Sequence, residues 1–217
     1  MRALTPLEAR VLGVLVEKQH TVPDTYPLSL NALVAGCNQK TTRDPVINAT
    51  DAEVLTAVDG LKGLSLVFEG SGSRVVRFEH NMGRVLGLPG ASVALLTLLL
   101  LRGPQTAAEL RLHCERLHRF ADISSVEGFL DELATKEPAR VVKLPRAPGS
   151  RESRWAHLLC GEVAFEAGAA GPADAGGGVS AGEIAALKAE QVRLAEELAQ
   201  LRVIVQRIAA ELGIDAS

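Results

Sequence analysis

A pattern of three helices followed by two short β-like runs occurs twice within residues 1–163 of this 217-residue chain. In the first copy, Thr5 precedes Pro6, and proline is favoured at the first position of a helix. The buried face of this first helix is predicted from apolar residues at helical spacing, which are Leu7, Val11, Leu12, Leu15 and Val16. Thr50 followed by Glu53 predicts a capping box at the start of the third helix.

The remaining elements follow from apolar periodicity and turn residues. In the first copy, two further helices and two β-like runs are predicted at residues 28–37, 50–64, 66–69 and 75–78. In the second copy, three helices and two β-like runs are predicted at residues 93–101, 107–114, 124–133, 141–144 and 154–158. This order is typical of a winged-helix domain. We therefore predict a mainly α fold with small β-hairpins (α+β), with winged-helix domain 1 at residues 1–88 and winged-helix domain 2 at residues 89–163.

The chain after residue 163 divides into two segments of different composition. Residues 164–182 are dominated by Gly and Ala, which bury too little apolar surface to form a core, so they predict a flexible linker. Residues 183–213 carry a heptad pattern typical of a coiled coil. Its seam residues, predicted to form a parallel homodimer, are Ile184, Leu187, Gln191, Leu194, Leu198, Leu201, Val205, Ile208 and Leu212. The alternative is a helix that docks within the monomer.

Charge and cysteine content exclude several classes of protein. Lys and Arg number 23 against 26 Asp and Glu, so the net charge of −3 argues against a strongly basic nucleic-acid-binding protein, although local basic patches are allowed. The three cysteines are too far apart for a metal site and indicate a reducing compartment. The longest apolar run, residues 93–101, is too short to span a membrane, and no secretory signal opens the chain. We therefore expect a cytoplasmic protein without membrane association. We also expect no enzymatic activity, cofactor or metal ion, because the histidines are scattered along the chain.

A polar turn at residues 37–45, between the second and third predicted helices, holds the first group of candidate contact residues. They are Asn38, Gln39, Lys40 and Arg43. In a DNA interpretation the two basic residues contact phosphates and the two amides pair with adenine edges. In a structural interpretation Asn38 caps a helix end and Arg43 pairs with Asp44 or Glu53. The third helix argues against base recognition, because three of its four charged residues are acidic.

The predicted hairpin of the second copy is basic. Its candidate contact residues are Arg140, Lys143, Arg146, Arg151 and Arg154, opposed within that segment by Glu152. This local charge could neutralise several phosphates, whereas the alternative is a merely solvated hairpin tip. Trp155 is predicted to anchor the core of the hairpin rather than to stack on bases.

Four blocks of the chain resemble the YceH family, a bacterial family without an established function. The blocks are LTPLEARVLGVLVEKQ (4–19), TYPLSLNALVAGCNQKTTRDPV (25–46), ALLTLLLLRGPQTAAELR (94–111) and GSRESRWAHLLCGE (149–162). The resemblance covers about residues 4–163 and implies two winged-helix domains in a bacterial cytosolic protein.

Two functions remain open at this point. The first is a DNA-binding protein that resembles a transcription regulator, favoured by the basic second hairpin and the predicted dimer. The alternative is an adaptor that binds a protein partner through winged-helix surfaces without DNA contact, favoured by the acidic third helix and the nearly neutral domains.

Overall fold

A computed structural model of the chain describes residues 1–70, 75–146 and 152–163. The described part has helices and two small antiparallel sheets, which confirms the predicted α+β class. The linker predicted at residues 164–182 and the coiled-coil helix predicted at residues 183–213 lie outside the described residues.

The first copy of the repeated pattern forms helices and a hairpin close to the predicted positions. Its elements are α1 (Pro6–Thr21), a 3-10 turn (Pro23–Thr25), β1 (Leu28–Ser29), α2 (Leu30–Cys37), α3 (Asp51–Gly63), β2 (Val67–Gly70), β3 (Arg77–His80) and a following short helix, α4 (Met82–Leu86). The sequence pattern missed β1 and α4, because elements of two and five residues are too short to show a period. The second helix begins later than predicted, since Ser29 is its N-cap and accepts a hydrogen bond from the Ala32 amide.

The second copy has the same succession of elements. They are α5 (Gly90–Arg102), α6 (Ala107–His113), α7 (Ile123–Thr135), β4 (Val141–Lys143) and β5 (Trp155–His157). The start predicted for the third helix at Ser124 is wrong by one residue, because Asp122 is the N-cap of α7. The Asp122 carboxylate accepts a hydrogen bond from the Ser125 amide at 2.7 Å.

Both sheets share one strand order. In the first copy the order is β1–β3–β2, with Leu28 opposite Phe78 and Val67 opposite His80. In the second copy β4 pairs with β5, and an isolated bridge joins Trp155 of β5 to Gln105, which precedes α6. The segment before the second helix therefore pairs with the last strand in each copy, which extends the predicted repeat to the sheets.

Three helices begin with a capping box, in which a Thr hydroxyl and a Glu carboxylate three residues later satisfy each other's backbone amides. The boxes are Thr5 with Glu8, Thr50 with Glu53, and Thr106 with Glu109. The predicted box at Thr50 and the predicted cap at Thr106 are thereby confirmed. These caps fix where α1, α3 and α6 start, and so where the loops before them end.

The first helices of the two copies, α1 and α5, pack against each other in a shared core. Residues 8–16 of α1 and 91–101 of α5 are buried without interruption, so each helix is enclosed on all sides. The buried surface of α1 is therefore wider than the apolar face that the sequence predicted. A Cβ atom on Gly13 would lie 2.9 Å from Leu101, which shows how closely the two helices approach. Residues Met1–Phe165 accordingly form one compact unit across the boundary predicted at residues 88 and 89.

Candidate interaction surfaces

The predicted polar turn is the α2–α3 loop, residues 38–50, which runs from the C-cap of α2 to the N-cap of α3. Its tip, formed by Lys40, Thr41 and Thr42, is exposed. Exposed loops on rigid scaffolds often carry function, so the contacts that hold this loop decide what it can do.

A buried ion pair fixes the centre of the α2–α3 loop. The Nη2 and Nη1 atoms of Arg43 donate to the two carboxylate oxygens of Glu17 on α1, at 2.6 and 3.1 Å. The Arg43 side chain is 0% exposed, and its Nε donates to the Gly36 carbonyl at 3.2 Å. A bidentate arginine–carboxylate pair combines opposite charge with fixed geometry, so it holds the loop in one position over α1.

A second buried arginine, Arg10 of α1, supports the same loop. Its Nη1 donates to the Cys37 carbonyl at 3.1 Å, and its Nη2 donates to the Pro45 carbonyl at 2.6 Å. Burial first, and the charge of Arg43 second, lower the pKa of Arg10. An arginine guanidinium is not deprotonated in proteins, so Arg10 keeps both hydrogen bonds at neutral pH.

The two ends of the α2–α3 loop are also tied together. The Asn38 amide group donates to the Ala49 carbonyl and accepts from the Ala49 amide, both at 2.8 Å. The Asp44 amide donates to the Leu101 carbonyl at 2.9 Å, which joins the loop to α5 of the second copy. The loop is thus held by α1, by α5 and by its own ends.

Thr42 has a left-handed backbone conformation with φ of 60°. This conformation costs about 1–2 kcal/mol for a residue with a Cβ atom and is rare for a β-branched one. The Thr42 hydroxyl lies 3.1 Å from Nη1 of Arg43 and 3.2 Å from Nε2 of Gln39, and both nitrogens donate to it. Strained residues that neighbouring contacts hold in place are frequent at binding sites, which marks the tip as a candidate site.

The residues predicted to contact DNA or a partner from this loop have different environments. Asn38 is bonded to Ala49, Gln39 donates to Thr41 and Thr42, and Arg43 is buried, whereas Lys40 is exposed. As placed, Arg43 cannot reach a phosphate. The predicted structural partners of Arg43, Asp44 or Glu53, are also wrong, because its partner is Glu17 and Glu53 caps α3 through Thr50.

The exposed faces of the third helix of each copy are acidic. On α3 the exposed residues include Asp51, Glu53, Asp59 and Leu55, the last of which is 41% exposed. The basic residue of α3, Lys62, is paired with Glu69 at 2.6 Å and with Asp59 at 3.5 Å. On α7 the exposed charged residues are Glu127, Asp131 and Glu132. Both faces would repel a phosphate backbone.

The basic residues predicted on the second hairpin differ in exposure. Lys143, Arg146 and Arg154 are exposed, Arg140 is half-buried, and Arg151 lies outside the described residues. The Lys143 ammonium lies 5.3 Å from the centre of the Trp155 ring, a cation–π distance. Trp155 itself is 2% exposed, which confirms that it anchors the core of the hairpin. Arg154 Nη2 lies 3.6 Å from the Glu109 carboxylate, so part of the basic charge is balanced.

A second basic segment, overlooked in the sequence, runs from the last turn of α6 through the loop before α7. Arg111, Arg116 and Arg119 are exposed there, beside an open pocket whose lining includes Phe120. The density of three arginines within nine residues was the sequence feature that could have revealed it.

Within residues 1–70, 75–146 and 152–163, no three His, Cys, Asp or Glu side chains are placed to hold a metal ion. Burial raises the pKa of the Cys37 and Cys114 thiols to about 12, so both are protonated and unreactive at neutral pH. Each helix in these ranges is too short or too polar to cross a bilayer.

The described part is therefore an α+β protein built on a repeated unit, with one exposed loop held by buried contacts in the first copy and exposed basic side chains on the hairpin of the second. The chain belongs to the family described as "Protein of unknown function, DUF480", which matches residues 4–166 and so spans both copies.

Similar proteins occur in several organisms. The chain is 71% identical over 218 residues to the UPF0502 protein of Burkholderia multivorans, covering 100% of this chain and 92% of the relative. It is 69% identical over 216 residues to the UPF0502 protein of Leptothrix cholodnii, covering 99% of this chain and 97% of the relative. The UPF0502 protein of Paraburkholderia phytofirmans is 71% identical over 216 residues, covering 100% of this chain and 92% of the relative.

Proposed function

We propose that this chain is a non-enzymatic adaptor with tandem winged-helix units, whose first copy binds a protein partner through the tip of the α2–α3 loop. The shared strand order, in which the segment before the second helix pairs with the last strand, supports the winged-helix assignment in both copies. The resemblance of four sequence blocks to the YceH family supports it as well.

The observation that carries the proposal is the bidentate pair between Arg43 and Glu17 beneath an exposed loop. A loop that is ordered before it binds loses little conformational entropy when it docks, so its contacts contribute fully to affinity. The exposed tip at Lys40, Thr41 and Thr42 offers hydroxyl and ammonium groups to a partner, and Val46 of the same loop is 57% exposed. Polar groups around an apolar residue suit a protein surface.

The charge of the third helices favours a protein partner over a duplex. In a winged-helix unit this helix is the one expected to enter the major groove, where its side chains lie close to phosphates. Asp51 and Asp59 on α3, and Glu127 and Asp131 on α7, are exposed instead. They would oppose that approach by charge repulsion.

DNA binding remains the second candidate function, and the basic surface of the second copy favours it. Lys143 and Arg146 on the hairpin and Arg116 and Arg119 before α7 are exposed. Contacts of this kind would bind the phosphate backbone without reading sequence. Such binding would weaken steeply with salt, which separates this candidate from the adaptor.

We further propose that the chain forms a parallel homodimer through the heptad seam of residues 183–213. This proposal is based on the sequence pattern, in which Leu occupies three of the four d positions and Gln191 an a position. A dimer would present two α2–α3 loops and so raise the avidity for a partner that carries two matching sites.

Affinity capture with the full chain tests the adaptor proposal. Lys40→Glu reverses the charge at the loop tip, and Thr41→Trp adds bulk there, while neither replaces a residue of the buried ion pair. Arg84→Glu is the matched control, because Arg84 is also exposed and lies on α4. We expect a protein captured by wild type and by the control to be reduced at least tenfold with either tip variant. Equal capture by all four proteins would overturn the proposal.

A further inference from the structure

An open pocket lies between the last turn of α6 and the start of α7. Its volume is about 360 Å³, and its lining residues are Arg111, Glu115, Arg119, Phe120 and Ala121. The Nη2 atom of Arg111 donates to the Ala121 carbonyl at 3.1 Å, which holds one guanidinium at the rim. The pocket therefore brings two cations and one carboxylate together around a concave surface.

In the described part of the chain, the cations of this pocket have no carboxylate partner at ion-pair distance. Across the described ranges, ion pairs with carboxylates within 4 Å are formed by Arg2, Arg43 and Arg154 but by neither Arg111 nor Arg119. Glu115 lines the same pocket, but among the described residues it forms no ion pair with Arg111 or Arg119. Asp122 accepts from the Ser125 amide and hydroxyl at the N-terminus of α7, and these hydrogen bonds first, with the charge of Arg111 after them, lower its pKa. Among residues 1–70, 75–146 and 152–163, the pocket thus presents two guanidinium groups without a carboxylate within 4 Å, one of which donates to the Ala121 carbonyl.

Aromatic packing makes the floor of the pocket rigid. Phe120 is 5% exposed and packs edge-on against His118 at a ring distance of 4.6 Å and against Phe129 of α7 at 5.7 Å. Such edge-to-face pairs stabilise one ring orientation. The residues on either side of Phe120, Arg119 and Ala121, are therefore fixed relative to α7.

We propose that this pocket binds a carboxylate side chain of an acidic peptide segment. Arg111 and Arg119 contact the carboxylate, since a guanidinium matches its two oxygens. Glu115 accepts a hydrogen bond from a backbone amide of the peptide. This inference deepens the proposed adaptor function and rests on it, because it gives the chemistry of a second contact with a protein partner.

A peptide fits the surroundings of the pocket better than a nucleic acid does. The exposed Glu127, Asp131 and Glu132 follow on α7 and would repel the rigid line of phosphates of a duplex, whereas a short flexible peptide can place one carboxylate in the pocket and direct its other side chains away from α7. Glu115, which also lines the pocket, can accept a hydrogen bond from a peptide amide, a donor that a sugar–phosphate backbone of DNA lacks.

Fluorescence anisotropy with a labelled hexaglutamate peptide at low salt tests this proposal, with a hexaglutamine peptide as the uncharged probe. We expect the full chain to bind hexaglutamate and not hexaglutamine. Arg119→Gln should weaken binding at least tenfold, because it removes a charge-assisted contact. This variant leaves the Arg111 hydrogen bond to Ala121 in place, so the fold of the turn is preserved. Arg84→Gln removes an exposed arginine elsewhere and should leave binding unchanged.

Three results would overturn the proposal. The first is that hexaglutamate does not bind. The second is that Arg119→Gln and Arg84→Gln weaken peptide binding equally. The third is that duplex DNA binds more tightly than the peptide and that Arg119→Gln lowers its affinity by the same factor. The last result would assign the pocket to phosphate. A failure here would leave the adaptor proposal intact if Lys40→Glu still abolished capture of a protein partner, so the two proposals fail separately.

Discussion

Arg43 and Glu17 are 26 residues apart in the chain and form a bidentate ion pair beneath the α2–α3 loop, with nitrogen–oxygen distances of 2.6 and 3.1 Å. The pair joins the centre of an exposed loop to a helix enclosed in the core. Its geometry explains how a polar segment with a strained residue, Thr42, keeps one conformation.

Removing one member of this pair should be costly. Glu17→Ala leaves the Arg43 guanidinium buried without its counter-charge, so the free energy of unfolding should fall by about 3–5 kcal/mol. Glu69→Ala is the control, since it removes a solvent-screened ion pair whose side chains are 36% and 42% exposed and should change stability little. Urea unfolding measures both changes. Similar losses in the two variants would show that the buried pair does not hold the loop.

The close approach of α1 and α5 gives a second prediction. A Cβ atom at Gly13 would lie 2.9 Å from two side-chain atoms of Leu101, so Gly13→Ala should destabilise the fold by about 1–3 kcal/mol through overpacking. Gly63 is the last residue of α3, and a Cβ atom there would have no neighbouring atom within 4 Å. Gly63→Ala should therefore stabilise the fold by about 0.4–1 kcal/mol. Thermal unfolding distinguishes the two, and a stabilised Gly13→Ala variant would contradict the packing described.

Stability should fall as the pH decreases from about 6.5 to 4. Burial lowers the pKa of His80 and of His157 to about 4, whereas an unfolded histidine titrates near pH 6.5. In this window the unfolded chain binds protons that the folded chain does not, so each histidine contributes a loss of up to about 1.4 kcal/mol per pH unit. His157→Asn should reduce the slope, because it removes one of the two buried imidazoles. An unchanged slope in His157→Asn would contradict the assignment.

Local patterns in the sequence predicted much of the fold. The capping box at Thr50 and Glu53, the cap at Thr106 and the burial of Trp155 all follow from residues close in the chain or from residue type. The succession of helices and hairpins followed from periodicity for the same reason. These features depend on short-range physics that a single sequence displays.

Contacts between segments far apart in the chain could not be predicted from the sequence. Periodicity gave α1 one apolar face, but α5 covers its other side, and nothing in either helix alone indicates the partner. Arg43 was assigned to neighbours in the chain, because Glu17 comes close only when the loop folds back over α1. The candidates Lys40 and Arg146 are exposed as predicted, because the charge of a side chain alone favours its exposure to solvent.

The heptad seam predicts how the protein assembles. Deleting residues 180–217 should convert a dimer into a monomer and leave the unit Met1–Phe165 folded. In the full chain, Leu194→Ala should make stability depend on protein concentration, because it weakens association. Sedimentation velocity checks the first result and thermal unfolding at several concentrations the second. A dimer of unchanged affinity after the deletion would remove the coiled-coil proposal.

The salt dependence of duplex DNA binding tests the central claim, that the protein is an adaptor and not a DNA-binding regulator, most directly. The adaptor account predicts that a 20-base-pair duplex binds with a Kd no tighter than about 1 µM at 50 mM salt. It also predicts that Arg146→Gln with Arg151→Gln changes this weak binding by less than tenfold. A Kd of about 10 nM, with a log–log slope that reports several neutralised phosphates and falls by up to about two in the double variant, would contradict the account and establish DNA binding by the second copy.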